Sequence, residues 1–279
     1  MYLEFFGLRE KPFSVTSDPA FLYLSQRHRE ALSHMMYGIQ ERKGFIEITG
    51  EIGTGKTTLC KTLLRQLDAN TKTALLLNSN LSELQLLQTI VHDFGLDPSR
   101  NSRMTLFNQL SAFLIEQATL GHNIVLIVDE AQNLSIRLLE QIRMLSNLET
   151  DKDKLIQIVL VGQPQLREKL NHPALRQLQQ RIGVRYHVLP LDLDEVRTYI
   201  DHRLRVAGSD GNLTWTNDAI EEVCQCSKGI PRLINLICDR VLLACCVFRV
   251  KVVDRQVVRR STQELMGEVS IAMEERKPA

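Results

Sequence analysis

Eight residues, Gly50-Glu-Ile-Gly-Thr-Gly-Lys-Thr57, carry the first legible chemistry in the chain. They fit the pattern G-x-x-x-x-G-K-[ST], which cradles phosphates when it follows a strand and opens a helix. Gly50, Gly53 and Gly55 permit backbone shapes that a Cβ hinders, so successive N–H groups can turn toward phosphate oxygens. Thr54 lies inside the loop and belongs to the same cradle. Lys56 offers a mobile ammonium to β- and γ-phosphates, Thr57 a hydroxyl to Mg2+, and Thr58 a donor to an α-phosphate. The partial positive charge at the start of the following helix adds to all of these.

A second group completes the chemistry. The apolar run Ile124-Val-Leu-Ile-Val ends in Asp129-Glu130, which presents two carboxylates at the edge of a sheet. Asp129 is suited to orient Mg2+ through its water shell, because Mg2+ dehydrates reluctantly. Glu130 is the candidate to polarise an attacking water. An Asp-Glu pair favours hydrolysis over phosphorylation of a small molecule, since it supplies a general base for water. The strand Ile156–Val161 ends in Gly162-Gln163, and insertion beside the loop-bearing strand would bring the Gln163 amide near a γ-phosphate. Arg176 and Arg181 are five apart, so on a helix they face differently, and one of them can reach a neighbouring subunit's nucleotide. Arg181 is the favoured one. Arg232 follows Pro231 at a helix start, where the dipole disfavours a cation. Facing a triphosphate would account for it.

Positioning these groups requires alternating strands and helices. Helical spacing of apolar residues runs from Gln26 to Lys43 and stops at Gly44. Strands are expected at 45–49, 73–77, 124–128, 156–161 and 184–189, and helices at 56–67, 82–94, 105–119, 135–147 and 164–180. Continuous apolar strands separated by helices predict a parallel sheet covered on both faces, a three-layer α/β core. After Pro190-Leu191 the alternation stops, and 192–206, 216–226, 231–248 and 254–266 all read as helices, with Thr216 and Asp254 as N-caps. The expected organisation is a core over 1–190, irregular up to residue 27, then an all-helical lid over 191–266 and a polar tail over 267–279.

Charge excludes one class of function. Lys and Arg number 34 against 33 Asp and Glu, a net of +1, which argues against wholesale coating of nucleic acid or anionic membrane. A local excess does exist. Residues 249–260 hold Arg249, Lys251, Arg255, Arg259 and Arg260 against Asp254. No apolar run approaches the ~18 residues of a membrane span. The six cysteines fit no disulfide or C-x2-C framework and read as reduced core thiols. The histidines show no ligand spacing.

Taken in order, these residues resemble the AAA+ ATPases: phosphate loop, Asp-Glu strand end, polar sensor, arginine finger, and helical lid with a sensor arginine. Tyr2-Leu-Glu-Phe-Phe-Gly-Leu8, Asp18-Pro-Ala-Phe-Leu-Tyr23, His28-Arg-Glu-Ala-Leu32, Asp129-Glu-Ala-Gln132, Leu145-Ser-Asn-Leu-Glu149 and Val161-Gly-Gln-Pro164 narrow the likeness. They are similar to the ExeA/GspA type, general-secretion-pathway component A, with MshM-like pilus and exosortase-associated relatives. The likeness covers about residues 1–265. It implies a P-loop NTPase fold, ATP and Mg2+ as ligands, and an adenine side formed by the stretch around Phe13 and Ser14 together with Pro231. Gln163 departs from the Asn, Ser or Thr common at that sensor position in AAA+ proteins at large. Larger members continue into a membrane span and a peptidoglycan-binding domain.

Two functions follow as expectations. One is an ATP-hydrolysing factor that assembles a secretion, pilus or polysaccharide-export machine, working as a homo-oligomer with sites completed between subunits. It would be cytoplasmic and peripheral at the inner membrane. The other is a DNA-binding ATP switch like the transposition-accessory ATPases, which share this core. The near-zero net charge and the lack of an appended helix-turn-helix disfavour DNA as a partner.

Overall fold

A computed structural model describes residues 2–14, 19–77, 81–98, 102–149 and 154–263. In chain order the elements are α1 (Tyr2–Phe6), α2 (Gln26–Gln40), β1 (Phe45–Gly50), α3 (Lys56–Gln66), β2 (Thr71–Leu76), α4 (Glu83–Asp93), α5 (Arg103–Thr119), β3 (Asn123–Val128), α6 (Ile136–Leu145), β4 (Gln157–Gly162), α7 (Pro164–Leu170), α8 (Arg176–Gln179), β5 (Ile182–Val188), α9 (Leu193–Val206), β6 (Thr214–Trp215), α10 (Asn217–Ser227), α11 (Pro231–Phe248) and β7 (Val252–Val253). Packing divides them into two compact units.

One unit holds Gln26–Ile52 and Lys56–Leu189. Its five strands are all parallel and run in the order β2-β3-β4-β1-β5. Alternation along each strand feeds two cores. Ile46, Ile48, Val125, Ile127, Val159 and Val161 pack with Met35 and Ile39 of α2 and Leu59 and Leu63 of α3. Ile124, Leu126, Ile158 and Leu160 face the other way, onto Leu86 and Ile90 of α4, Leu110 of α5 and Ile142 of α6. Burial on both faces explains why these strands read as continuous apolar runs, and the expected three-layer α/β core is present.

The helix expected over 164–180 is broken. Pro173 disfavours helix at the residue before it. His172 is accordingly extended, and a 3-10 turn at Pro173–Leu175 separates α7 from α8. Ser82 closes a capping box at the start of α4, its hydroxyl accepting from Gln85 N–H while the Gln85 side chain accepts from Ser82 N–H.

The other unit gathers the described residues of Met1–Ser25, Gly53–Gly55 and Pro190–Ala279. The N-terminal segment, read from sequence as irregular and part of the core, is instead helical over α1 and packs among the C-terminal helices. Tyr2 and Phe6, four apart, enter a cluster with Val196, Ile200, Ile234, Val241 and Leu242. The lid is helical as expected, with one addition: β6 and β7 pair in parallel. That pairing also changes one cap. Thr216 stands at the N-cap of α10, but its hydroxyl donates to Val253 O at 3.0 Å rather than capping the helix. Asp254 does cap, accepting from Val257 N–H at 2.9 Å, and helix follows over 255–263. Gly229, with φ +69°, lies against Leu191 O, which a Cβ would approach to 2.0 Å, so no other residue fits there. The remainder of the helix expected to reach 266, and the tail, lie outside the described residues.

Candidate functional site

The loop between β1 and α3 begins where the central strand ends. Gly50 closes β1, and Gly53 and Gly55 take φ of +84° and +93°, a left-handed region that only glycine enters at no cost. Thr54 is buried between them. Lys56 is also buried, and its Nζ donates to Gly50 O and Glu51 O, each at 2.8 Å. Burial pushes the Lys56 ammonium pKa down, while the nearby carboxylates of Glu130, Asp129 and Glu51 push it up. Thr57 Oγ1 donates to Asp129 Oδ2 at 2.6 Å, across 72 residues of sequence. Thr58 is half-buried on the first turn of α3.

The sheet order brings the second group to the same edge. β4 lies between β3 and β1, the insertion expected from sequence, so Asp129 and Gln163 leave adjacent strands beside the loop. Asp129 is 2% exposed, and its Oδ1 accepts the N–H of Glu130 at 2.9 Å. Glu130 takes φ 53° and ψ 36°, a left-handed conformation that costs a non-glycine residue about 1–3 kcal/mol and clusters at functional sites. Its carboxylate oxygen Oε2 accepts from Gln132 Nε2 at 2.5 Å and from Gln163 Nε2 at 3.3 Å. Gln132 Oε1 in turn accepts the Gln163 N–H at 3.0 Å. The structure thus joins Lys56, Thr57, Asp129, Glu130 and Gln163 as expected, and adds Gln132.

Other expected residues are placed differently. Arg181 does not project freely. Its Nη1 donates to Ser146 Oγ at 2.9 Å, at the end of α6, whereas Arg176 is exposed on α8. In the other unit, Pro231 is the first residue of α11, and Arg232 is exposed with its N–H donating to Gly53 O at 3.3 Å. A Cβ on Gly53 would come within 2.7 Å of Arg232 Cβ, so glycine permits this approach. Phe13 is 1% exposed and packs inside the helical cluster, so protein side chains cover the ring expected on the adenine side. The basic excess at 249–260 is partly internal: Arg255 pairs with Glu221 at 2.8 Å and Arg259 with Glu222 at 2.9 Å.

Three more residues escaped the sequence reading. Arg203 is buried, and its guanidinium donates to Pro12 O, to Ser14 O at 3.1 Å and to Tyr199 Oη at 3.1 Å. It also stacks on Phe21 at 4.8 Å. His187 Nδ1 lies 3.0 Å from Thr49 Oγ1, one residue before Gly50, and burial with the Arg167 charge pushes its pKa down. Glu47 is a buried acid on β1, paired with Arg185 at 3.2 Å and Arg167 at 3.4 Å. Its place between Ile46 and Ile48 in an apolar run was the one available signal. Of the six cysteines read as core thiols, Cys60, Cys238 and Cys245 are buried, whereas Cys224, Cys226 and Cys246 are only partly so. Desolvation raises Cys60 and Cys238, and raises Cys245 to about 11. Among the described residues no group of His, Cys, Asp and Glu is disposed to hold a metal ion by itself. No helix among them is long and apolar enough to cross a membrane.

A parallel sheet with β4 inserted beside the loop-bearing strand, an Asp-Glu strand end and a helical lid defines a P-loop protein of the AAA+ class. Comparison with known proteins agrees. The family described as AAA domain matches residues 39–170. General secretion pathway protein A of Aeromonas hydrophila is 48% identical over 245 residues, 88% of this chain and 45% of that protein. The chain therefore spans less than half the length of that relative. The ORC2 protein of Aeropyrum pernix, in ADPNP–ADP complexes, is similar in fold with a TM-score of 0.64 at 19% identity, over 91% of this chain and 71% of that one. The Drosophila ORC bound to DNA gives 0.66 at 19% identity, over 96% and 67% of the two chains. The chain belongs to the AAA+ proteins of the ExeA/GspA type.

Proposed function

We propose that this chain binds ATP with Mg2+, hydrolyses it, and uses the cycle to drive or switch assembly of a secretion, pilus or polysaccharide-export machine. The observation that carries the hydrolytic part is the convergence of Thr57, Asp129, Glu130 and Gln163 at one sheet edge beside the glycine loop. The Thr57 hydroxyl and Asp129 carboxylate, 2.6 Å apart, are hard oxygen donors suited to Mg2+ and its retained waters. Bound there, Mg2+ would neutralise charge on the β- and γ-phosphates. Loop amides of Gly50, Gly53, Thr54 and Gly55 and the Lys56 ammonium would hold the phosphates, with Thr58 near the α-phosphate. Lys56 must leave the carbonyls of Gly50 and Glu51 to do so. Glu130 would accept a proton from water as its oxygen attacks the γ-phosphorus and the bridging oxygen leaves with ADP. The Gln163 amide would orient that water or the γ-phosphate. Arg232, whose amide meets Gly53, is the lid's candidate cation for the triphosphate, with Pro231 beside it on the adenine side.

The secretion role rests on likeness to General secretion pathway protein A. A homo-oligomer, sites completed by Arg181 from a neighbour, and a cytoplasmic place at the inner membrane belong to the same reading. Phosphate release from ATP that requires Mg2+ supports the hydrolytic part; a chain that binds ATP and releases no phosphate overturns it.

A further inference from the structure

We infer that Gln132 is a positioning residue for Glu130, tying the water-activating carboxylate to the strand end that carries Gln163. The inference rests on the hydrolytic reading above. Gln132 uses both ends of one carboxamide. Its Nε2 donates to Glu130 Oε2 at 2.5 Å, and its Oε1 accepts the main-chain N–H of Gln163 at 3.0 Å. Gln163 Nε2 donates to the same Glu130 oxygen at 3.3 Å, so three residues close a ring. Both donors converge on Oε2, and neither uses Oε1.

The ring is built into its surroundings. A Cβ at Gly162 would come within 2.7 Å of Gln132 Oε1 and 2.9 Å of Leu166 Cδ2, so glycine before Gln163 is what admits the carboxamide. The turn that carries Gln132 is pinned by Ala131 and Leu134, each buried, and by Lys169 Nζ, which donates to the carbonyls of Gln132 and Leu134. Glu130 leaves the strand in a left-handed conformation, which directs its backbone but not its long side chain. A glutamate has three side-chain torsions, and a general base acts only within hydrogen-bond reach of the proton it takes. The amide at 132 removes that freedom before nucleotide chemistry begins. The Oε1 end satisfies the Gln163 N–H, which folding alone requires. The Nε2 end, spent on a half-exposed Glu130 carboxylate, is the bond that folding does not require.

Two variants separate the donor from the acceptor. Gln132→Met keeps the length and removes both bonds. Gln132→Glu keeps an acceptor for the Gln163 N–H and loses the donor to Glu130. Each is expected to lower kcat for ATP about ten- to a hundredfold, the usual cost of losing an orienting partner. KM and nucleotide affinity should stay near wild type in both. The melting temperature should stay near wild type in Gln132→Glu, which keeps the acceptor, and fall by a few degrees in Gln132→Met, which leaves the Gln163 N–H without one. Added to Glu130→Gln, Gln132→Met should cost nothing further, because residues that act through one group are not additive. Wild-type kcat in either single variant overturns the inference. So does a loss that multiplies onto that of Glu130→Gln, which marks a merely structural role. If Gln132→Met does not fold, Gln132→Glu and its cycle with Glu130→Gln decide alone. A wild-type chain without ATP turnover, or a Glu130→Gln chain with full turnover, sinks the hydrolytic reading and this one together. Turnover that needs Glu130 and ignores Gln132 sinks this one only.

Discussion

Removing the Arg203 guanidinium should unfasten the N-terminal segment from the helical unit. Arg203 holds the carbonyls of Pro12 and Ser14 on either side of Phe13, and its plane stacks on Phe21. Hydrogen bonds to a charged group contribute about 1.5–3 kcal/mol each, and a buried cation–π contact about 2 kcal/mol. Against these stands the cost of desolvating the cation, several kcal/mol. The balance for Arg203→Leu is a loss of about 2–4 kcal/mol, with the Tyr199 hydroxyl keeping its bond to Asn235 at 2.7 Å. At roughly 2–4 °C per kcal/mol for a chain of this size, the melting temperature should fall by about 5–15 °C. Arg203→Lys should not restore it, because an ammonium cannot fork between two carbonyls and stack on a ring. Thermal unfolding followed by circular dichroism measures the shift. Limited proteolysis should show faster cleavage within residues 2–25. A melting temperature within a degree of wild type, or full rescue by lysine, would refute the anchoring argument.

His187 and Arg181 give two more tests. Burial lowers the His187 pKa, so the folded chain prefers the neutral ring, and stability held above about pH 6.5 is lost as pH falls through the window below it. His187→Gln should flatten melting temperature against pH just below 6.5; an unchanged slope contradicts this. For Arg181, ATP turnover per chain should rise with protein concentration, and Arg181→Ala should remove the rise, a loss of a hundredfold or more for a charge at the transition state. A concentration-independent rate, unchanged by the substitution, would assign Arg181 to its bond with Ser146 alone.

Legibility followed locality. The glycine loop, the Asp-Glu strand end and the strands of the parallel sheet each carry their own signal, because a sheet buried on both faces needs unbroken apolar runs. The position of β4 beside β1 was also open to inference from the residues. Contacts that depend on turns folding back were not. Gln132 enters the sequence reading only inside the Asp129-Glu-Ala-Gln132 likeness, and its contacts depend on the left-handed turn at Glu130 and on the room that Gly162 leaves for its carboxamide. Arg203 carries no local signal, since the carbonyls it holds lie about 190 residues away in sequence. The stretch around Phe13 and Ser14 is assigned to the adenine side by family likeness alone, with no local signal of its own, and Phe13 lies 1% exposed within the helical cluster. The strip at 249–260 illustrates the limit of counting charge: Glu221 and Glu222, on another helix, take up two of its arginines.

The most direct test of the account is ATP hydrolysis by Glu130→Gln set beside wild type, with Mg2+ present and nucleotide affinity measured on the same samples. The substitution keeps size and hydrogen bonding and removes the base. The account predicts ATP affinity within about twofold of wild type and phosphate release slowed about 10²–10⁴-fold. Phosphate release at the wild-type rate would contradict it.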